Sequence, residues 1–332
     1  MNFGIIGSGS WATALAKILT DNNNPIRWWI RNSGSIKHMQ LRRHNPHYLS
    51  SAYFNTSLLE LNENIIEVIK PSDVLVIAVP SAFIENALEP LPADIFQNKK
   101  VVSAIKGILP SCNYLLNDYL YQKFQVNLLD YFTVLGPCHA EEVASEKLSY
   151  LTFSGLDEDM AAQIGEHFHT EYLNTVVNHD VVGVQFAAVL KNIYALGAGI
   201  AHGLEYGDNF LSVYIANAAS EMVSFLQKVV GDGVCNQVNY ASSVYLGDLL
   251  VTCYSLYSRN RTFGNMLGKG YSVQSAQLEL NMVAEGFNAS KCIFKTNEKV
   301  GAKMPIAKTI YHILWQHLPA VEGFKNIEGI LI

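Results

Sequence analysis

The sequence predicts an α/β protein, with a doubly wound parallel sheet at the N-terminus and an all-α C-terminal domain. Three observations carry that prediction. Short apolar runs alternate with helical patterns from Asn2 to about Val177, a glycine-rich turn directly follows the first run, and from about Asp180 long helical patterns replace the strand signal. The 332 residues exceed what one hydrophobic core usually holds, so a first domain over residues 1–180 and a second over residues 181–332 are expected.

The first run, Phe3 to Ile6, leads into Gly7-Ser8-Gly9-Ser10-Trp11-Ala12 and then into a helical pattern. A Gly-x-Gly-x-x-Gly/Ala turn between a strand and a helix is the dinucleotide fingerprint of a Rossmann-type sheet; a turn without a ligand is the competing reading. Gly7 permits the tight turn, Gly9 lets backbone approach a pyrophosphate, and Ala12 allows close packing of the helix, whose first amides point at the phosphates. Asp21-Asn22-Asn23-Asn24-Pro25 is the loop that ends this helix. The second run, Ile26 to Ile30, is followed by Arg31 and Asn32, where an acidic residue would accept ribose hydroxyls. Arg31 suits the 2′-phosphate of NADP, so NADP is favoured and NAD stays open.

The next runs are Val74 to Val79, Val101 to Ile105, Phe132 to Leu135, Tyr150 to Phe153 and Thr175 to Val177. Their lengths and β-branched content suit strands buried on both faces. Ala78-Val79-Pro80-Ser81, Ile105-Lys106-Gly107 and Leu135-Gly136-Pro137-Cys138-His139-Ala140 fall at strand ends, and ligands of open α/β sheets bind outside the carboxyl ends. Lys106 is therefore a candidate contact to a substrate or cofactor phosphate, against the plainer reading of a solvated loop lysine.

In the helical half, the stretch from Val181 to Leu204 carries one charged residue, Lys191, if His202 is neutral. A buried ammonium must be satisfied or used. A lysine whose stem lies on apolar surface with its head in water is the competing account. The stretch is long enough to cross a membrane, but Lys191, Asn192, Gln185 and His202 would then need a polar cavity, and no second such segment offers one. A buried helix of a soluble protein is expected. Further on, Gly247-Asp248 precedes Thr252, and Ser258-Arg259-Asn260-Arg261 gathers donors suited to a phosphate, arginine supplying a planar, permanently charged fork. On spacing alone Asp248 reads as a helix cap before it reads as a catalytic group.

Composition bounds the partners. Hydrophobic residues make up 49% and charged residues 16%, below the roughly 25% of typical domains, which implies extensive burial and a subunit interface. A net charge of -6 gives no general reason to bind nucleic acid. Cys112, Cys138, Cys235, Cys253 and Cys292 are odd in number and lack CxxC spacing, which argues against a disulfide framework or a zinc site; the histidines form no ligand cluster, so no metal is expected. With no basic leader before the first strand, a cytoplasmic protein is expected. The uncharged helix of the second domain points to a homodimer.

Taken together, GSGSWATALA, AVPS, KG, GPCHAEE, LKNIYALGAGI, the Gly207-Asp208-Asn209 turn, GDLLVTCYSLYSRNRTFG and Val283-Ala284-Glu285-Gly286 stand in the order found in NAD(P)-dependent glycerol-3-phosphate dehydrogenases. The chain resembles that family over nearly its whole length. The resemblance implies that Lys191 is the catalytic acid/base, with Asn192 beside it. It implies a substrate pocket lined by Lys106, Asp248, Thr252, Arg259 and Asn260, with Gly136, Cys138 and Ser258 as further contacts. It assigns the cofactor to Ser10, Trp11, Arg31, Ala140, Val283 and Glu285, with Lys106 and Arg259 serving both ligands. The implied reaction interconverts dihydroxyacetone phosphate and sn-glycerol 3-phosphate, whose product supplies glycerophospholipid synthesis. The chain departs from the family pattern at Ala12, Cys138, His139, Gln185, Asn217 and Ala289, where glycine, serine, an aromatic residue, glutamate, arginine and threonine are usual.

The residues fit that chemistry: Lys191 can supply a proton and a positive field to a developing alkoxide, Asp248 is placed to orient the ammonium, and Thr252 follows one helical turn on. Two alternatives remain open at this stage. A related dehydrogenase acting on a hydroxyacid would share the fingerprint and a lysine, and a nucleotide sensor would bind NAD(P) without turnover.

Overall fold

In a computed structural model, residues 1–231, 238–280 and 284–332 are described. The chain forms two compact units, one of residues 1–105 and 114–181, the other of residues 106–113 and 182–332.

The first unit is built on an eight-stranded sheet in the order β3-β2-β1-β4-β5-β6-β7-β8. The strands are β1 (Phe3–Ile6), β2 (Ile26–Trp29), β3 (Leu59–Asn62), β4 (Val74–Ile77), β5 (Lys100–Ser103), β6 (Tyr131–Leu135), β7 (Ser149–Ser154) and β8 (Leu173–Asn178). All neighbours are parallel except β6 and β7, which pair antiparallel from Thr133 opposite Ser154. The sheet is mostly parallel, as the sequence predicts, and this one pairing is its exception. An apolar strand buried on both faces reads the same in either direction, so the reversal leaves no mark in the residues. β3 is also an addition: Leu59-Glu60-Leu61-Asn62 lies at the sheet edge and keeps only partial burial. Its two leucines are too few to stand out as an apolar run.

Helices pack on this sheet, the first being α1 (Ser10–Asp21), followed after β2 by α2 (Ser33–Arg42). The core gathers Phe3, Ile5, Leu15, Trp28, Val76, Val102, Phe132 and Phe153, each fully buried. Lys17 of α1 pairs with Asp21 at 2.6 Å and Glu146 at 2.9 Å, and Tyr172 donates to Asp21 at 2.6 Å.

The second unit takes in residues 106–113, which a boundary at residue 180 puts in the first domain. Asn113 Nδ2 donates to Thr296 Oγ1 at 2.9 Å and ties that segment down. The remainder is helical: α3 (Val181–Gly203), α4 (Asp208–Val230), α5 (Asp248–Tyr254), α6 (Arg259–Gly268), α7 (Val273–Leu280), α8 (Glu285–Val300), α9 (Pro305–Trp315) and α10 (Ala320–Glu328). Among the described residues α3 is the one helix long and apolar enough to cross a membrane, and 94% of its most apolar window is buried. It is the core helix of this unit. Tyr194 of α3 donates to Glu221 of α4 at 3.2 Å, and the Tyr194 carbonyl accepts from Tyr214 at 3.0 Å. Glu221 also accepts from Ile306 N at 2.8 Å and Ala307 N at 2.9 Å, taking up free amides at the start of α9. Burial pushes the Glu221 carboxyl up to about 7 against those hydrogen bonds.

Candidate active site

The first unit holds the fingerprint turn. Gly7 sits at φ 123°, and a Cβ there would meet the Ala78 carbonyl oxygen at 2.5 Å, so the turn itself requires glycine. Gly9 differs. Its φ of -77° suits any residue and a Cβ would meet nothing within 4 Å, so neither conformation nor protein packing demands glycine. The open space above Gly9 is what a dinucleotide phosphate needs, and the residues fit the cofactor on that ground. Ser10 and Trp11 open α1, and Ala12 is fully buried beneath it. Arg31 is exposed beyond the end of β2.

After β6, Gly136 takes a positive φ of 146° and the Cys138 thiol donates to the Tyr150 carbonyl at 3.2 Å. That thiol proton is directed at β7. Ala140 opens a short helix, Ala140–Ala144, and is buried.

In the second unit the lysine of α3 finds its partner. Lys191 is 4% exposed and Asp248 1%, and Lys191 Nζ donates to Asp248 Oδ1. Asp248 follows a single turn of π-helix, Ser243–Gly247, and opens α5 without capping it. Wide turns of this kind recur at functional sites, because they displace a side chain from the regular helical repeat. Asp248 Oδ2 is buried and has no hydrogen-bond partner, which leaves one acceptor facing inward. Burial pushes the Lys191 ammonium down to about 7; the Asp248 carboxylate opposes the shift and the Lys106 ammonium adds to it. A lysine in that range exchanges a proton readily near neutral pH.

A second polar chain adjoins Lys191 in sequence. Asn192 Nδ2 donates to the Lys106 carbonyl at 3.1 Å, Asn260 Nδ2 donates to Asn192 Oδ1 at 2.9 Å, and Gly286 N donates to Asn260 Oδ1 at 2.9 Å. These bonds join α3, the 106–113 segment, α6 and the start of α8. They also fix both amide orientations, since each oxygen must accept and each nitrogen donate.

The structure thus brings together Lys106, Lys191, Asn192, Asp248 and Asn260. Thr252 is buried, but its hydroxyl donates to the Asp248 carbonyl at 2.5 Å within α5. Ser258 caps α6 by accepting from Arg261 N at 3.3 Å, and Arg259 stands exposed on the first turn of that helix. Glu285 is the first residue of α8; Val283, expected at the cofactor, lies outside the described residues. Sequence reasoning missed Gly286 as an amide donor and took Asn260 only for a phosphate ligand. Both are long-range pairings, and no local spacing signals them. Asn217 binds the backbone of Ile332: its Nδ2 donates to Ile332 O at 3.0 Å.

Comparison with known proteins places this arrangement. Sequence models of the N-terminus and the C-terminus of NAD-dependent glycerol-3-phosphate dehydrogenase match residues 2–161 and 180–325. The glycerol-3-phosphate dehydrogenase [NAD(P)+] of Chlorobium chlorochromatii is 31% identical over 328 residues, 98% of this chain and 97% of that relative. That of Lysinibacillus sphaericus is 32% identical over 312 residues, 94% of this chain and 91% of the relative. Among solved structures, glycerol-3-phosphate dehydrogenase from Coxiella burnetii matches with a TM-score of 0.89 and 25% identity, covering 98% of both chains. A buried lysine–aspartate pair in a helical unit, a fingerprint turn open to a phosphate and matches across both halves agree: the chain belongs to the NAD-dependent glycerol-3-phosphate dehydrogenase family.

Proposed function

We propose that the protein catalyses the reversible reduction of dihydroxyacetone phosphate to sn-glycerol 3-phosphate with NADPH or NADH, supplying the backbone of glycerophospholipids. The observation that carries this reading is the buried Lys191–Asp248 pair, with its lysine pushed down to about 7. Gly7, Gly9, Ser10 and Trp11 of the fingerprint turn would hold the dinucleotide, whose chemistry would be hydride supply to the ketone carbon. By resemblance, Arg31, Ala140, Val283 and Glu285 are also assigned to the cofactor.

Lys191 Nζ gives its proton to the oxygen that gains negative charge, and its field stabilises that oxygen before the proton moves. Asp248 holds the ammonium in place, and its free Oδ2 is suited to accept from a substrate hydroxyl. Arg259 offers its fork to the substrate phosphate, with Lys106 as a second cation and the remaining Asn260 N–H as a neutral donor. Fixing the phosphate fixes the carbonyl, so grip at one end of the substrate sets the geometry at the other. Thr252 and Ser258 support this pocket through the backbone of α5 and α6. The resemblance alone also assigns Gly136 and Cys138 to the substrate.

Absorbance at the reduced-nicotinamide band, followed with dihydroxyacetone phosphate and with NADH or NADPH in turn, tests the reading. Turnover with both cofactors is expected, NADPH being preferred because Arg31 replaces an acidic residue after β2. Turnover with 2-ketoacids and none with the three-carbon phosphate would refute it. A reducing cytoplasm suits the described cysteines Cys112, Cys138, Cys253 and Cys292, all free thiols, and a second copy of the chain is the expected partner.

Two further results are expected in this assay. Arg259→Lys keeps the charge and loses the planar fork, so KM for dihydroxyacetone phosphate should rise about tenfold or more, with a smaller change for cofactor. An unchanged substrate KM would remove Arg259 from the phosphate grip. The pH profile should turn near the Lys191 value. Reduction needs the ammonium, so its rate falls as pH rises through about 7; oxidation needs the free amine, so its rate climbs over the same interval. Asp248→Asn removes the carboxylate that raises the lysine, and the midpoint should move to lower pH. A midpoint unmoved by that change would mean that another group titrates.

A further inference from the structure

Three consecutive carbonyls of the fingerprint turn are taken by side chains. Trp28 Nε1 of β2 donates to the Gly7 carbonyl at 2.6 Å, Asn45 Nδ2 donates to the Ser8 carbonyl at 3.2 Å, and Thr13 Oγ1 donates to the Gly9 carbonyl at 2.9 Å. Asn45 Nδ2 also donates to Thr13 Oγ1 at 2.9 Å, which joins the second bond to the third. Thr13 belongs to α1 itself, but Trp28 and Asn45 come from elsewhere in the first unit and serve nothing in the chemistry described so far. Trp28 is fully buried and Asn45 is 3% exposed.

The direction of these bonds has a chemical consequence. In a trans peptide the C=O of one residue and the N–H of the next point to opposite sides of the plane. Each carbonyl held by its side-chain donor therefore turns the next N–H, that of Ser8, Gly9 or Ser10, away from that donor. A pyrophosphate offers only acceptor oxygens, so a carbonyl facing it repels and an amide N–H attracts. The turn could satisfy its carbonyls with water, yet Trp28 and Asn45, from outside α1, donate to two of them, and a flip of either peptide plane would break its bond. Asn45 is itself fixed, because its Oδ1 accepts from His47 N at 3.0 Å and Tyr48 N at 3.3 Å. Trp28 is fixed by packing against Phe54 at 5.6 Å between ring centroids.

We infer that Trp28 and Asn45 are positioning residues for dinucleotide binding, holding the fingerprint carbonyls away from the pyrophosphate so that its amides face the ligand. The inference rests on placing the cofactor at this turn. Asn45→Asp is the sharpest test: it keeps an acceptor for the His47 and Tyr48 amides, removes the donor, and sets a carboxylate against the Ser8 carbonyl.

Titration of ADP-ribose, NADH and NADPH into wild type, Asn45→Asp and Trp28→Phe gives the readout. Kd for all three ligands should rise together, by about tenfold for loss of one buried hydrogen bond, while kcat at saturating cofactor and the KM for dihydroxyacetone phosphate stay within about twofold. A merely structural role would not confine the loss to ligands that carry the pyrophosphate. Wild-type ADP-ribose affinity in either folded variant overturns the inference, as does a fall in kcat with Kd unchanged; Trp28→Phe keeps the test decisive if Asn45→Asp does not fold. Gly9→Val separates the two levels of the argument. Its branched side chain fills the space assigned to the phosphate and should abolish ADP-ribose binding, and unchanged binding there would overturn the cofactor placement itself.

Discussion

Lys191→Ala is expected to lower turnover by about a hundredfold or more, the scale of lost acid/base catalysis, with cofactor affinity retained. The structure adds a second effect. Asp248 is 1% exposed and its Oδ1 accepts from the Lys191 ammonium, so deleting the lysine leaves a buried carboxylate without its counter-charge. Breaking a buried pair from one side typically costs about 3–5 kcal/mol, and a drop in unfolding free energy of that order should accompany the loss of activity. The double variant Lys191→Met, Asp248→Asn removes both charges and should recover most of that stability while staying inactive. Stability and catalysis are thereby separated in one experiment. Wild-type turnover in folded Lys191→Ala would exclude the lysine from the mechanism, and a double variant no more stable than the single would show that the pair is not electrostatically coupled.

Lys191 was legible because an ammonium in an apolar helix is a contradiction that the sequence itself displays. Asp248 entered as its partner only through the family resemblance, because it lies 57 residues away and on spacing alone its place at a helix start reads first as a cap. The same limit applies to Asn260. Flanked by arginines, it reads as a phosphate donor, but its amide bridges Asn192 and the Gly286 backbone, a role set only by three helices meeting. Within the sheet, seven strands announced themselves by apolar runs, while β3, half exposed at the edge, did not. The direction of β7 was equally silent. A boundary drawn along the chain also could not foresee that residues 106–113 leave the first unit for the second, since that depends on the bonds from Asn192 to Lys106 and from Asn113 to Thr296 rather than on composition.

The crossing of α3 and α6 was also missed, although its residues are plain in the sequence: Gly199 and Gly203 on one helix, Gly264 and Gly268 on the other, each pair one turn apart. A Cβ on Gly264 would lie 1.9 Å from the Leu196 carbonyl oxygen, and one on Gly199 would lie 2.0 Å from the Arg261 carbonyl oxygen. Here backbone meets backbone, and no flexible side chain can give way. The crossing holds the helix that carries Lys191 and Asn192 against the helix that begins with Arg259 and Asn260, so it sets the spacing between the proposed proton donor and the proposed phosphate grip. Gly264→Ala should therefore force the helices apart and destabilise the protein by about 3 kcal/mol, the upper part of the usual range for overpacking. The Asn260 to Asn192 bond of 2.9 Å cannot survive a shift of an ångström or more, so kcat/KM for dihydroxyacetone phosphate should fall even in the fraction that remains folded. Denaturant unfolding read beside steady-state kinetics checks both parts. Near wild-type stability in Gly264→Ala would show that the two helices can separate freely, and the crossing would then have no part in aligning the site.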